Sequence, residues 1–296
     1  MQIKINIPDY WPKLSIGDYV SIISPSFAVK DDEILKIKLL LKDWGLNIHI
    51  SDFNKNNEPL FANSDKNRKA ELNNAINHPK SKFILTTRGG YGCSKIIDQF
   101  SFSNKFKIIT GFSDLTSLHL LINNYLNKSS LHSPALKQIA NNEVDNCSVE
   151  LFKNIIFGNI KELLYDIEQI NNIKLKSNLL PRLIGGNLSL IQTSIGTKWQ
   201  INSKPFCLLI EDIDEQAYKI DRILNHLKNA NIFNNCQALF IGDIVEKEHS
   251  DNKFYLDHII KQFSTELELP IFKIFNIGHL AQNMSIPLGV DFELIS

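Results

Sequence analysis

The stretch IITGFSDLTSLHLL, residues 108–121, decides how the fold of this chain is interpreted. It begins as a short apolar run typical of a buried strand, turns through Gly111, Phe112, Ser113 and Asp114, and continues with apolar residues at helical spacing. A sharp strand-to-helix corner exposes a side chain, so Ser113 is either a nucleophile or an ordinary helix cap. The second glycine of the hydrolase elbow signature is absent, and the local pattern alone favours the cap.

Strand and helix patterns alternate upstream of this corner. The strand-like runs span residues 18–26, 46–50 and 83–87, and helical patterns span residues 33–45 and 64–78. Strands that alternate with helices predict an N-terminal α/β domain built on a doubly wound, mainly parallel sheet.

A second set of strand-like runs follows in the C-terminal half, and one amphipathic helix at 215–229 lies between the first two. These runs span residues 206–212, 237–245 and 270–279. They predict a second domain that is α/β or mainly β.

The change in composition near residue 160 suggests where the domains divide. Residues 140–180 are rich in Asn and Lys, which is typical of a domain edge. The prediction is an N-terminal domain over 1–160, a linker region over 161–180 and a C-terminal domain over 181–296. Polar loops are predicted at NKNNEP (54–59) and EKEHSDNK (246–253).

The overall composition excludes several classes of partner. The chain has 296 residues, with 32 Lys and Arg against 32 Asp and Glu, so no charge excess favours nucleic acid or an anionic membrane. An N-terminus without an export signal and the lack of an 18-residue apolar run predict a cytoplasmic protein. No Cys-x-x-Cys pair occurs, so we expect free thiols and neither a metal nor a cofactor. The cysteines are Cys93, Cys147, Cys207 and Cys236.

A glycine loop, TTRGGYGCSK (86–95), follows the predicted strand 83–87. Glycines at this position let backbone N–H groups approach a ligand closely, although a plain tight turn explains them equally well. The dinucleotide and triphosphate signatures are both missing. Cys93 is an alternative nucleophile if a helix start lowers its pKa, or else an inert buried residue.

Two further side chains lie at predicted strand ends. Glu211 ends the run FCLLIE, where α/β enzymes place site residues, although a solvated acid is the simpler interpretation in isolation. His279 follows Gly278 in IFNIGHLAQ and has the side chain best suited to move a proton near neutral pH. His132, in LHSPAL, competes with His279 for that role.

These features occur together in an order that resembles the LD-carboxypeptidase family of serine peptidases, which includes murein tetrapeptide carboxypeptidases and microcin immunity peptidases. The resemblance covers nearly the whole chain. Its motifs are SIGDYVSIISPS, RGGYG, GFSDLTSLH, HSPAL, IGGNLSLIQTSIGT, LLIEDIDEQAYKIDRIL and IGHLAQNMSIPLG.

The resemblance implies a catalytic role for several residues. Ser113 would be the nucleophile, His279 its base, and Glu211 the group that orients the base. The backbone N–H groups of Gly90 and Asp114 would form the oxyanion hole, and the Asp114 side chain is also expected to cap the helix. The site would lie in a cleft between the two domains.

The implied activity is release of the terminal D-alanine from murein tetrapeptides by a cytoplasmic homodimer. Two alternatives stay open: a microcin-immunity-type peptidase that cuts peptide–nucleotide conjugates, and a non-catalytic ligand-binding homologue. The sequence departs from the family pattern at Ser133, where a glycine is expected, and at Phe112, where tyrosine is common. Trp199 either stacks on a substrate ring or packs in the core, and core packing is the stronger expectation.

Overall fold

Two β-sheets and their helices make up the computed structural model, which describes residues 1–50, 58–97, 107–201, 204–247 and 255–295. The strands in these ranges are β1 Gln2–Asn6, β2 Tyr19–Ile23, β3 Asn47–Ile50, β4 Ser81–Thr86, β5 Ile108–Gly111, β6 Ser130–His132, β7 Glu162–Gln169, β8 Leu179–Leu180, β9 Leu183–Asn187, β10 Phe206–Glu215, β11 Cys236–Glu246, β12 Ile271–Ile274, β13 Ile286–Leu288 and β14 Phe292–Ile295.

The α-helices connect these strands on both sides of the sheets. They are α1 Asp31–Asp43, α2 Asp65–Asn77, α3 Thr116–Leu120, α4 Leu136–Ala140, α5 Asn146–Phe157, α6 Leu188–Thr193, α7 Ala217–Asn229 and α8 Leu256–Glu266. None of the described helices combines the length and the apolar character needed to cross a membrane.

The first sheet has six strands in the order β13-β6-β5-β4-β2-β3. All neighbouring pairs are parallel except β13 with β6. The chain steps outward from β2 to β3 and then crosses back to β4, so the strand order reverses between β2 and β4. The predicted doubly wound, mainly parallel sheet is confirmed, and in sheets of this kind ligands usually bind outside the carboxyl ends of the strands.

The second sheet has eight strands in the order β8-β14-β1-β7-β12-β11-β10-β9. Strands β9 to β12 are parallel neighbours joined by α6, α7 and α8, whereas the other pairings are antiparallel. Of the two predictions for the C-terminal half, α/β is therefore the one that the structure shows.

Sheet membership does not follow the predicted division of the chain. Strand β1 pairs with β7 in the second sheet, and β13 pairs with β6 in the first. Strand β7 lies inside the segment predicted as a linker, 161–180, and also pairs with β12. The boundaries at 160 and 181 stay a prediction. The predicted loops at 54–59 and 246–253 fall mostly outside the described residues.

Apolar side chains form two core clusters, and each cluster receives residues from both sheets. Leu85 and Leu209 belong to one cluster, while their chain neighbours Ile84 and Ile210 belong to the other. This follows because successive side chains of a strand point to opposite faces of the sheet. Trp199 is 7% exposed within the second cluster, which confirms the expectation of core packing.

Replacing Gly185 by alanine tests how tightly β9 lies against β10. Gly185 has φ +128°, and a Cβ there would lie 2.0 Å from the carbonyl oxygen of Leu209. We expect the free energy of unfolding, measured in urea, to fall by about 2–5 kcal/mol from backbone strain and overpacking together. Gly196→Ala is the control, because Gly196 also has positive φ but no neighbour within 4 Å of a Cβ. Equal losses in both variants would contradict the packing described for β9.

Candidate active site

Ser113 occupies a strained corner between β5 and α3. It has φ +61° and begins a short 3-10 turn, Ser113–Leu115, directly before α3. A residue other than glycine in this conformation costs on the order of 1–3 kcal/mol, and such strain is typical of functional corners. Ser113 is partly exposed although Phe112 and Asp114 beside it are buried. The corner therefore presents the Ser113 side chain at the end of the sheet.

The side chain of Asp114 ties this corner to two other loops. Its Oδ2 accepts hydrogen bonds from Ser26 Oγ at 2.5 Å and from the backbone N–H of Cys93 at 2.8 Å. Burial raises the pKa of Asp114, which outweighs the effect of these donors. The prediction that Asp114 caps the helix with its side chain is wrong, since neither the 3-10 turn nor α3 has a side-chain cap. The buried carboxyl group takes its donors from the neighbouring loops instead.

The glycine loop packs directly against Ser113. A Cβ at Gly89 would lie 2.9 Å from Ser113 Cβ and 3.1 Å from its Oγ. Gly90 has φ +124°, and a Cβ there would lie 2.3 Å from the Phe27 ring. Side chains are therefore excluded at both positions, so the peptide backbone forms the wall of the site next to the serine. This arrangement is consistent with an oxyanion hole, and the role of the Gly90 N–H stays a prediction.

Cys93 begins a short 3-10 turn, Cys93–Lys95, but its thiol is not in an environment that favours reactivity. It is fully buried, and its pKa is raised well above the usual value by burial and by the nearby charge of Asp114. Because the thiolate is the reactive form, this environment favours the interpretation of Cys93 as an inert buried residue.

Glu211 is a fully buried carboxylate between two imidazole rings. Its Oε2 accepts a hydrogen bond from His279 Nδ1 at 2.7 Å, and its Oε1 lies 3.7 Å from His132 Nε2. Burial by itself would raise the pKa of Glu211, but the two imidazoles outweigh burial and lower it to about 2. Glu211 is therefore ionised at neutral pH.

His279 is placed by the turn that follows β12. Gly278 has φ +152°, and a Cβ there would lie 2.9 Å from the carbonyl oxygen of Asp243, so this turn packs closely on the end of β11. The His279 side chain is 11% exposed. Burial lowers its pKa, but the hydrogen bond and charge of Glu211 raise it more, so the net shift is upward. With Nδ1 donating to Glu211, Nε2 is the nitrogen that can accept a proton.

The Phe112 ring connects the serine corner with the Glu211–His279 pair. Its centroid lies 4.7 Å from that of His279 and 6.0 Å from that of His132. Ser113 is the next residue along the chain, so the structure brings the corner and the imidazoles into one neighbourhood. His132 reaches it because β6 pairs with β5, with His132 opposite Gly111.

The sequence left His132 and His279 as competitors, and the structure places both on the same carboxylate. The sequence identified His132, in LHSPAL, as a candidate base, but the position of its ring is set by sheet pairing and could not be predicted.

The departure at Ser133 leaves the local backbone unstrained. Ser133 has no positive φ and donates its N–H to the carbonyl oxygen of Gly111 at 3.1 Å, so this conformation does not require glycine. Phe112 is 5% exposed, and its ring makes the aromatic contacts described above without a hydroxyl group.

Comparison with protein-family models gives two consecutive matches. The LD-carboxypeptidase N-terminal domain of peptidase family S66 matches residues 20–133, and the C-terminal domain of the same family matches residues 181–294. The first match contains Ser113 and His132, and the second contains Glu211 and His279.

One relative is similar over nearly the whole chain in sequence, and two solved structures are similar in fold. A Bacillus subtilis protein named as a probable murein peptide carboxypeptidase is 29% identical, with 95% of this chain and 90% of that protein covered. The crystal structure of muramoyltetrapeptide carboxypeptidase from Oxalobacter formigenes has a TM-score of 0.81 at 21% identity, and the match covers 94% of this chain and 95% of that one. The structure of the microcin C7 self-immunity protein MccF has a TM-score of 0.81 at 18% identity, and the match covers 98% of this chain and 99% of that one. The chain therefore belongs to the LD-carboxypeptidase family of serine peptidases.

Proposed function

We propose that the protein is an LD-carboxypeptidase that releases the terminal D-alanine from murein tetrapeptides through Ser113, His279 and Glu211. The observation that carries this proposal is the buried Glu211–His279 pair, which packs through Phe112 against the corner that presents Ser113. The murein peptide named for the Bacillus relative and the tetrapeptide named for the Oxalobacter structure support the choice of substrate.

The reaction follows from the chemistry of these side chains. His279 Nε2 takes the Ser113 proton as Oγ attacks the carbonyl carbon before the terminal residue, and Glu211 stabilises the imidazolium that forms. The imidazolium then gives the proton to the leaving amine, and D-alanine departs. A water molecule, deprotonated by the same imidazole, hydrolyses the acyl-enzyme and regenerates Ser113.

The tetrahedral intermediate carries a negative oxygen that needs donors. The backbone N–H of Asp114, at the start of the 3-10 turn, and that of Gly90, in the loop packed on Ser113, are the donors that we propose. Removing one donor of this kind costs on the order of 10²–10³-fold in kcat in other serine peptidases.

The site would lie in a cleft between the two domains. Ser113 follows a strand of the six-stranded sheet, Glu211 lies on a strand of the eight-stranded sheet, and His279 follows another strand of that sheet. We propose a cytoplasmic homodimer that acts in cell-wall recycling, in keeping with the family resemblance.

A microcin-immunity type of activity is the second candidate, and the fold likeness to MccF favours it. A nucleotide-containing substrate would be expected to stack its base on an exposed aromatic ring. Trp199, the residue considered for that role, lies in the core at 7% exposure. Trp199 therefore does not support base stacking, and the substrates named for the relatives make the murein peptide the leading proposal. The buried, ionised Glu211 beside His279 argues against a binding protein that has lost catalysis, because a charge buried for no function would be costly.

Ser113→Ala tests the nucleophile. We expect a loss of at least about 10⁴-fold in kcat for D-alanine release from murein tetrapeptide, followed by mass spectrometry, because no other described nucleophile lies at the corner. His279→Ala should lose a similar factor. Cys93→Ser is the matched control and should keep full activity. Full activity of Ser113→Ala, or a dead Cys93→Ser with a native fold, would contradict the assignment.

Glu211→Gln tests the electrostatic support of the base. Burial lowers the pKa of His279, but the hydrogen bond and charge of Glu211 raise it more, so removal of that charge should lower the His279 pKa. Because a base must be unprotonated, the acid limb of the kcat/KM profile should move to lower pH, while the maximum rate falls.

The pKa of His279 can be measured by NMR titration. Its imidazole signal is assigned as the one that is missing from the spectrum of His279→Ala. Glu215→Gln is the control, because Glu215 pairs with Lys219 at the end of β10. This variant should leave the His279 pKa and the acid limb of the kcat/KM profile unchanged. An unchanged His279 pKa in Glu211→Gln would show that the pair is not coupled as described.

A further inference from the structure

A pocket of about 190 Å³ lies beside Ser113, and its charged walls decide what it can hold. Arg88, Lys137 and the exposed Glu143 are the charged residues that line it, together with Gly89 and Ser113. A substrate bound to Ser113 must place the residue on the far side of the scissile bond somewhere next to the nucleophile, and this pocket adjoins it.

The cation at Lys137 already has a carboxylate partner. Lys137 Nζ lies 3.2 Å from Glu33 Oε1, and Glu33 also accepts hydrogen bonds from the backbone N–H of Lys30 and from Asn141 Nδ2. Burial would raise the pKa of Glu33, but these partners lower it overall, so the carboxylate stays charged beside Lys137. Glu143 accepts a hydrogen bond from the same Asn141 side chain at 3.1 Å.

Arg88 is held in place without being neutralised. Its Nη1 donates to the backbone carbonyl of Ala28 at 3.2 Å, and its Cζ lies 5.5 Å from the centroid of the Phe27 ring. Among the residues that the structure describes, no carboxylate lies within ion-pair distance of Arg88. A guanidinium has five N–H donors in a planar fork that matches a carboxylate, so its remaining donors suit an anionic ligand.

The position of Arg88 fits the end of a peptide substrate. Arg88 directly precedes Gly89, and a Cβ added at Gly89 would lie 3.1 Å from Ser113 Oγ. The next residue, Gly90, is the proposed oxyanion donor. One residue of extended chain spans about 3.3–3.6 Å, so a carboxylate one residue beyond the scissile carbonyl would enter the pocket that Arg88 lines together with Ser113. A carboxypeptidase substrate always has a free carboxylate there.

We propose that the Arg88 guanidinium binds the free C-terminal carboxylate of the leaving residue and thereby restricts cleavage to the last peptide bond. This subsite rests on the proposed function, because it presumes that Ser113 attacks the bond before the terminal residue. The ligand class is a peptide α-carboxylate, paired with a fixed cation in a polar pocket.

Two matched substrates test the subsite: a murein tetrapeptide with a free C-terminal carboxylate and the same peptide with a C-terminal amide. The wild type should cleave the free acid with a kcat/KM on the order of 100-fold higher than the amide, as expected for a hydrogen-bonded charge pair in a binding site. Arg88→Gln should lose that factor on the acid and change by less than about threefold on the amide. Arg88→Lys should recover part of the preference, and Arg222→Gln on α7 is the control that should keep all of it.

Binding supplies a readout that does not depend on catalysis. In the Ser113→Ala background, calorimetry should show tighter binding of the acid than of the amide, and adding Arg88→Gln should abolish the difference. Cleavage without an acid preference, or equal losses on both peptides in Arg88→Gln, would overturn the subsite and leave the proposed function intact. An acid preference in binding without any cleavage by the wild type would support carboxylate binding by Arg88 but would overturn the function and, with it, the claim that Arg88 restricts cleavage. Absence of binding to either peptide would overturn both.

Discussion

The buried carboxylate of Glu211 is the group on which the arrangement of the site depends. A charge removed from water is costly unless it is paired; Glu211 Oε2 accepts a hydrogen bond from His279, and its Oε1 lies 3.7 Å from His132 Nε2. His132 comes from the six-stranded sheet, whereas His279 follows a strand of the eight-stranded sheet. One carboxylate therefore holds side chains from both sheets, and the Phe112 ring packs on both imidazoles beside the nucleophile.

A second constraint keeps the serine corner in a conformation that the residue alone would avoid. The carbonyl of Gly111 accepts the N–H of Ser133 and the ring N–H of His119, which lies 2.8 Å away. Asp114 is held by Ser26 and by Cys93. Strain at Ser113 persists because the residues on both sides of it are fixed by these bonds. The same bonds place the glycine loop against the serine, so catalysis and local strain share one network.

Much of the fold could be predicted from local patterns. The alternation that predicted strands at 18–26 and 206–212 corresponds to β2 and β10, and the amphipathic segment at 215–229 contains α7. Strands β1 and β13 could not be placed, because each joins a sheet formed mainly by the opposite half of the chain. Such pairings depend on contacts between distant residues, which periodicity does not encode.

The candidate site could likewise be predicted only in part from the sequence. Glu211 and His279 were identified by predicted strand-end position and by the family motifs. The structure continues β10 to Glu215, so Glu211 lies within the strand, but it brings these two side chains together. The second imidazole on Glu211 was not foreseen, because His132 reaches it only through the pairing of β6 with β5. The Asp114 side chain was assigned to its own helix, but a buried carboxyl group bonds to whichever donors the fold places around it, and here these belong to two other loops.

Reaction with a serine-directed fluorophosphonate, followed by peptide mass spectrometry, tests most directly the claim that Ser113 is activated by a histidine held by Glu211. The reagent forms a stable adduct only with a serine whose proton is taken by a base. We predict one adduct, on the peptide that contains Ser113, with a labelling rate that falls as His279 becomes protonated and that is lost in His279→Ala. Labelling of another residue in its place, or an unchanged rate at Ser113 in His279→Ala, would contradict the account.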